Sequence, residues 1–214
     1  MELLVTTDWL AKELGASDLR IVDATKFMPD AGRNPAAEYE AGHIPGAVFM
    51  DLAELTDASS PIDNMLPPAE KFASRMQSLG LGDGSRVVLY DDSPLKSAAR
   101  AWWMLTIFGA HEVAILDGGI AKWKAEGRPL ETGKEALRHR HFTVWKDDKD
   151  VRTKADMLAN LHSKEEQVVD ARPADRFSGE TPDPRGNTAS GHIPGSVNIP
   201  HSSFFNADGT WKNS

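Results

Sequence analysis

A chain that carries the same two short segments twice, in the same order and at nearly the same spacing, is constrained before anything else to fold as a duplicated unit. Ile21-Val22-Asp23-Ala24 returns 147 residues later as Val168-Val169-Asp170-Ala171, and Glu40-Ala41-Gly42-His43-Ile44-Pro45-Gly46-Ala47-Val48 returns 149 residues later as Ala189-Ser190-Gly191-His192-Ile193-Pro194-Gly195-Ser196-Val197. Two ordered matches that drift by only two residues predict an internal repeat. In the first copy, Arg86 to Tyr90 and Val113 to Leu116 read as buried strands, and Ser97 to Phe108 and Ala121 to Glu126 as helices. Short apolar runs alternating with helical stretches predict an α/β fold with a parallel sheet covered by helices.

The repeat also predicts the domain plan. The first domain spans residues 1–135, the polar stretch 136–150 reads as a linker, and the second domain spans 151–214, opening on a helix that Thr153 can cap. By the repeat spacing, the Asp91-Asp92-Ser93 loop would return near position 240, and about 65 residues of the second copy lie beyond Ser214. Two parallel sheets flanked by helices are therefore expected, the second incomplete, lacking two strands and two helices and leaving apolar surface uncovered.

Composition narrows the partners. With 24 basic against 32 acidic residues the net charge is −8, which disfavours a nucleic acid ligand, whose phosphates require clustered cations. No apolar run approaches the length of a membrane span, and the acidic start Met1-Glu2-Leu3-Leu4 lacks a secretory pattern, so the cytoplasm is the expected location. The 214 residues contain no cysteine, which excludes disulfides, thiolate-bound zinc and a cysteine nucleophile among them.

Three places can carry chemistry. In Gly42-His43-Ile44-Pro45-Gly46 the glycines admit positive φ and the proline fixes direction, so His43 and His192 each sit on a rigid turn entering a strand. Two roles are open to them, satisfying nearby carbonyls or moving a proton. The loop Asp91 to Ser97 follows a strand and precedes a helix, the usual ligand position in open α/β sheets, but its two aspartates repel an anion and fit helix capping. Past the second strand, Arg172, Arg176 and Arg185 lie on one loop, where a guanidinium can grip a carboxylate or join an ordinary ion pair. Trp102 and Trp103 fall in a helix and read as core. Arg138-His139-Arg140-His141 lacks further ligands, so no metal is expected, and no phosphate-binding glycine pattern points to a cofactor.

These residues together resemble the tandem-domain rhodanese family, and within it the thiosulfate and 3-mercaptopyruvate sulfurtransferases. The resemblance rests on Tyr39 to Ala47, on Val113 to Gly119 followed by Trp123, on Ser59-Ser60-Pro61 with Met65-Leu66-Pro67, and on the second Gly191-His192-Ile193-Pro194-Gly195. It implies a small anionic sulfur donor, thiosulfate or 3-mercaptopyruvate, a thiol or cyanide acceptor, no cofactor, and a persulfide carried by a second-domain cysteine. By position it places Arg176 and Arg185 on the donor's carboxylate, which favours 3-mercaptopyruvate, and gives His43 a possible part in proton transfer. Where the family often reads Gly-Arg-Asp, this chain has Gly32-Arg33-Asn34, a weaker partner for a histidine. Because the cysteine loop falls outside the 214 residues, the chain as given is expected to be inactive. A cysteine-free module that binds anions or a protein is the competing reading.

Overall fold

The computed structural model describes residues 1–183 and 188–212, and resolves two compact units, Met1–Asp148 and Lys149–Ser214. The first unit alternates strands β1 (Leu4–Val5), β2 (Leu19–Asp23), β3 (Ala47–Phe49), β4 (Arg86–Tyr90) and β5 (Val113–Leu116) with helices α1 (Thr7–Glu13), α2 (Pro35–Ala41), α3 (Ala69–Ser78), α4 (Ser97–Ile107) and α5 (Gly119–Ala125). The sheet order is β1-β5-β4-β2-β3, and every pairing is parallel. Parallel neighbours require crossover connections, which the helices supply. The central strands are buried on both faces, which is why Val87 to Tyr90 and Val113 to Leu116 run apolar without alternation.

The helix ends follow their local chemistry. The Thr6 hydroxyl accepts from the Trp9 N–H at the start of α1, and the Asn34 side chain accepts from the Ala37 N–H at the start of α2, where Pro35 occupies the first helical position. Trp123 is fully buried and donates to the Pro129 carbonyl at 2.8 Å, fixing the chain after α5. Trp102 and Trp103, expected in the core, are only half-buried: α4 presents them at its margin, where Trp102 donates to the Val113 carbonyl and the Arg100 guanidinium lies 4.6 Å over Trp103.

The polar stretch read as a linker is fastened to the first unit as far as Asp148. Asp83 N–H donates to the His141 carbonyl, Thr143 N–H to the Asp83 carboxylate, Trp145 N–H to the Phe108 carbonyl and Asp147 N–H to the Ile107 carbonyl. Phe142 is buried edge-on against Phe72, which itself stacks on Phe108 at 4.1 Å. One aromatic anchor and a run of satisfied backbone donors bind this strap despite its polar composition.

The second unit contains α6 (Lys154–Ser163), β6 (Val169–Asp170), α7 (Ala174–Ser178) and β7 (Val197–Asn198), with β6 and β7 forming a parallel two-stranded sheet. Thr153 caps α6 in a reciprocal box with Asp156. Val169, Ile193, Val197, Ile199 and Phe204 remain exposed. A single parallel pair cannot bury both of its faces.

Candidate active site

Asp23 ends β2, and its carboxylate accepts from the Thr25 N–H at 2.9 Å, turning the chain out of the sheet. The His43 turn, which joins α2 to β3, folds back on α2. The His43 Nδ1 lies 2.8 Å from the Tyr39 carbonyl, and the two rings stack at 4.1 Å. A carbonyl only accepts, so Nδ1 carries the proton and Nε2 keeps its lone pair. His43 also pairs through its backbone with Glu131 in an antiparallel bridge, both N–H···O contacts being 2.9 Å, and the Glu131 carboxylate accepts from the Gly46 N–H at 2.8 Å. Gly46 adopts φ +73°, the left-handed conformation that lets the turn close.

Burial raises the Tyr39 phenol above its ordinary pKa, with the carboxylates of Glu135, Asp23 and Glu131 adding to the effect, and its hydroxyl donates to the Ala47 carbonyl at 2.6 Å. His43 is 1 % exposed. Its ring is thus fixed by a carbonyl and an aromatic face. Asn34 caps α2 with its side chain, while Arg33 pairs with Glu38 and Asp92.

The loop after β4 is closed to anions by its own carboxylate. Asp91 accepts from the Ser93 N–H at 3.1 Å within the loop and from the Ala98 N–H at 2.7 Å at the start of α4, so both of its oxygens are engaged. Burial raises its pKa against those hydrogen bonds. Gly119 holds the loop from below at φ +58°; a Cβ there would lie 2.5 Å from the Asp91 carbonyl oxygen.

In the second unit, Arg172 pairs with Asp170 and donates to the Gly191 carbonyl, tying β6 to the second His-Ile-Pro-Gly turn. Arg176, on α7, reaches Asp183 with Nη2 at 2.5 Å, and the Asp183 side chain is 1 % exposed. The Arg176 Nε is buried without a hydrogen-bond partner among the described residues. A buried donor of this kind calls for an acceptor, which the described residues do not supply. Arg185 lies outside the described residues. His43 and Arg176 belong to separate units.

Sequence reasoning missed the partners that give these residues their form. Tyr39 could have been found, since it stands four residues before His43 on a helix and Phe177 plays the same part before His192. Glu131, Glu135 and Asp183 carry no local pattern.

The rhodanese-like domain family matches residues 6–126 and 153–214. The chain is 43 % identical over 215 residues to the 3-mercaptopyruvate sulfurtransferase of Mus musculus, covering 98 % of this chain and 72 % of that protein, and 42 % identical over 197 residues to that of Escherichia coli, covering 92 % and 70 %. The crystal structure of the Escherichia coli 3-mercaptopyruvate sulfotransferase superposes with a TM-score of 0.90 at 39 % identity, covering all of this chain and 80 % of that one. No helix among the described residues is long and apolar enough to cross a membrane. With matches to both copies of the repeat and a shared fold over the whole length, this chain belongs to the rhodanese-like domain family.

Proposed function

We propose that this chain is the donor-binding framework of a sulfurtransferase that takes sulfur from 3-mercaptopyruvate and passes it to a thiol or cyanide. The observation that supports the reading is Arg176, a half-buried arginine in a chain whose relatives act on 3-mercaptopyruvate, paired with the buried Asp183 carboxylate and with an Nε that meets no acceptor among the described residues. Paired hydrogen bonds from Arg176 and Arg185 would hold the donor carboxylate. Thiosulfate, with no carboxylate, uses such a pair less fully.

The transfer forms a sulfur–sulfur bond on a thiolate as the donor's carbon–sulfur bond breaks, and the departing pyruvate carbon gains a proton. His43 is offered for that proton movement: its Nε2 lone pair, preset by the Tyr39 carbonyl, takes the proton of the donor's thiol and returns it to the carbon. The thiolate is not among these 214 residues, so by themselves they form no cysteine persulfide. The cytoplasm is the proposed setting, since sulfur handed between thiols requires a compartment that keeps them reduced.

Titration of the 214-residue chain with 3-mercaptopyruvate tests the binding step. Saturable binding that weakens about tenfold or more in Arg176→Ala supports the reading. Equal affinity in the variant, or preference for thiosulfate, contradicts it.

A further inference from the structure

The first unit also brings together a set of ligating atoms that its sequence did not announce. One ring nitrogen of His43 and one carboxylate oxygen from each of Glu131 and Glu135 lie within 4.8 Å of one another. Two carboxylates alone would be solvated surface. The buried imidazole makes the difference: it is 1 % exposed, stacked on Tyr39, and held with Nδ1 against a backbone carbonyl. That arrangement fixes the tautomer in which Nε2 is the free donor atom, the way metal-binding histidines are commonly held. No hydrogen bond or ion pair joins this ring to either carboxylate among the described residues.

We propose that His43 Nε2, Glu131 and Glu135 form a three-ligand site for a first-row transition-metal dication, of which Zn²⁺ is the type, leaving at least one coordination position open. An imidazole nitrogen beside two carboxylates suits such an ion better than Mg²⁺ or Ca²⁺, which prefer all-oxygen sets. The two negative charges, which otherwise repel across a short distance, neutralise the dication. Bonds of about 2.0–2.2 Å bring ligand atoms to within roughly 4 Å of each other, so the carboxylates must close slightly on the ion. Glu131 is exposed and Glu135 half-buried, so both have that freedom while the ring stays fixed.

Local spacing could not have shown this site, because both glutamates lie about 90 residues beyond His43 and reach it through the bridge between His43 and Glu131. A bound cation would occupy the lone pair offered above for proton transfer and so act as a brake on it. That consequence rests on the proton-transfer reading of His43; the site itself does not.

The test is calorimetric titration of Zn²⁺ into the 214-residue chain, in a His139→Gln/His141→Gln background that removes the neighbouring histidine pair. One ion should bind at micromolar or tighter affinity, Glu131→Gln/Glu135→Gln should weaken it at least about tenfold with an unchanged melting profile, and the His43 Nε2 resonance should shift on binding. Substituting His43 risks the fold, so the carboxylate variants and the resonance carry the decision. Unchanged affinity in the double variant, an unmoved His43 resonance at saturation, or no binding at all would overturn the site. The 3-mercaptopyruvate titration is run without zinc, so its outcome is independent.

Discussion

The two copies of the strand–helix–turn–strand segment are nearly the same object in different surroundings. In the first, Val22 pairs with Val48 and Asp23 with Phe49; in the second, Val169 pairs with Val197 and Asp170 with Asn198. Each carries a histidine with Nδ1 2.8 Å from a helix carbonyl, Tyr39 for His43 and Phe177 for His192, stacked on that residue's ring at 4.1 and 3.8 Å. Yet Val22 and Val48 are 0 % and 6 % exposed, whereas Val169 and Val197 are 51 % and 43 % exposed. Local sequence sets the turn, the register and the ring stack; burial is set by neighbours. The first copy has β4 against β2, while β6 is paired with β7 alone among the described residues.

Removing the stacked ring should separate the copies most sharply. Tyr39→Ala deletes a buried ring and its hydrogen bond to Ala47 and should cost about 3–5 kcal/mol, whereas Phe177→Ala, half-buried, should cost about 1 kcal/mol. Urea unfolding followed by a probe in each unit checks this, and equal losses would break the comparison. Amide exchange sharpens it: β2 and β3 should open with free energies at least about 2 kcal/mol above those of β6 and β7.

The smallest effect is one of sign. Burial raises the Asp23 pKa, so the native state holds that proton more tightly than the unfolded chain, and its contribution is best at low pH and declines as pH rises through its pKa. At the matching position the hydrogen bond from Arg172 lowers the Asp170 pKa, so its contribution is present above the ordinary carboxylate range and is lost as pH falls through the lowered value. Asp23→Asn should therefore flatten the decline toward neutral pH, and Asp170→Asn the acid loss, each by up to about 1 kcal/mol in stability measured against pH. Parallel slopes at both positions would show that the environments are alike after all.

Much of this was legible in the residues themselves. Val87 to Tyr90 and Val113 to Leu116 are apolar without alternation, as a doubly covered parallel strand requires, and both lie inside the sheet. Thr153 announced α6 as its cap, and the structure completes the cap with Asp156. The strap from Arg138 to Asp147 was not legible, because its hold depends on Phe142 meeting Phe72, a contact no local pattern encodes. His43 was legible as a turn residue and Arg176 as a loop arginine, but their respective partners Glu131 and Asp183 were not. A partner that is brought in by tertiary folding leaves no spacing to read, and polar composition conceals it among ordinary solvated residues.

The claim that matters most is that this framework serves sulfur transfer, and it can be met by mass spectrometry. A version of the chain continued over the remaining length of its relatives, with a cysteine in the second-copy loop corresponding to Asp91 to Ser97, should gain the mass of one sulfur atom on that cysteine when incubated with 3-mercaptopyruvate, and Arg176→Ala should slow the gain about tenfold or more. A folded, cysteine-bearing protein that gains no sulfur from 3-mercaptopyruvate would contradict the account.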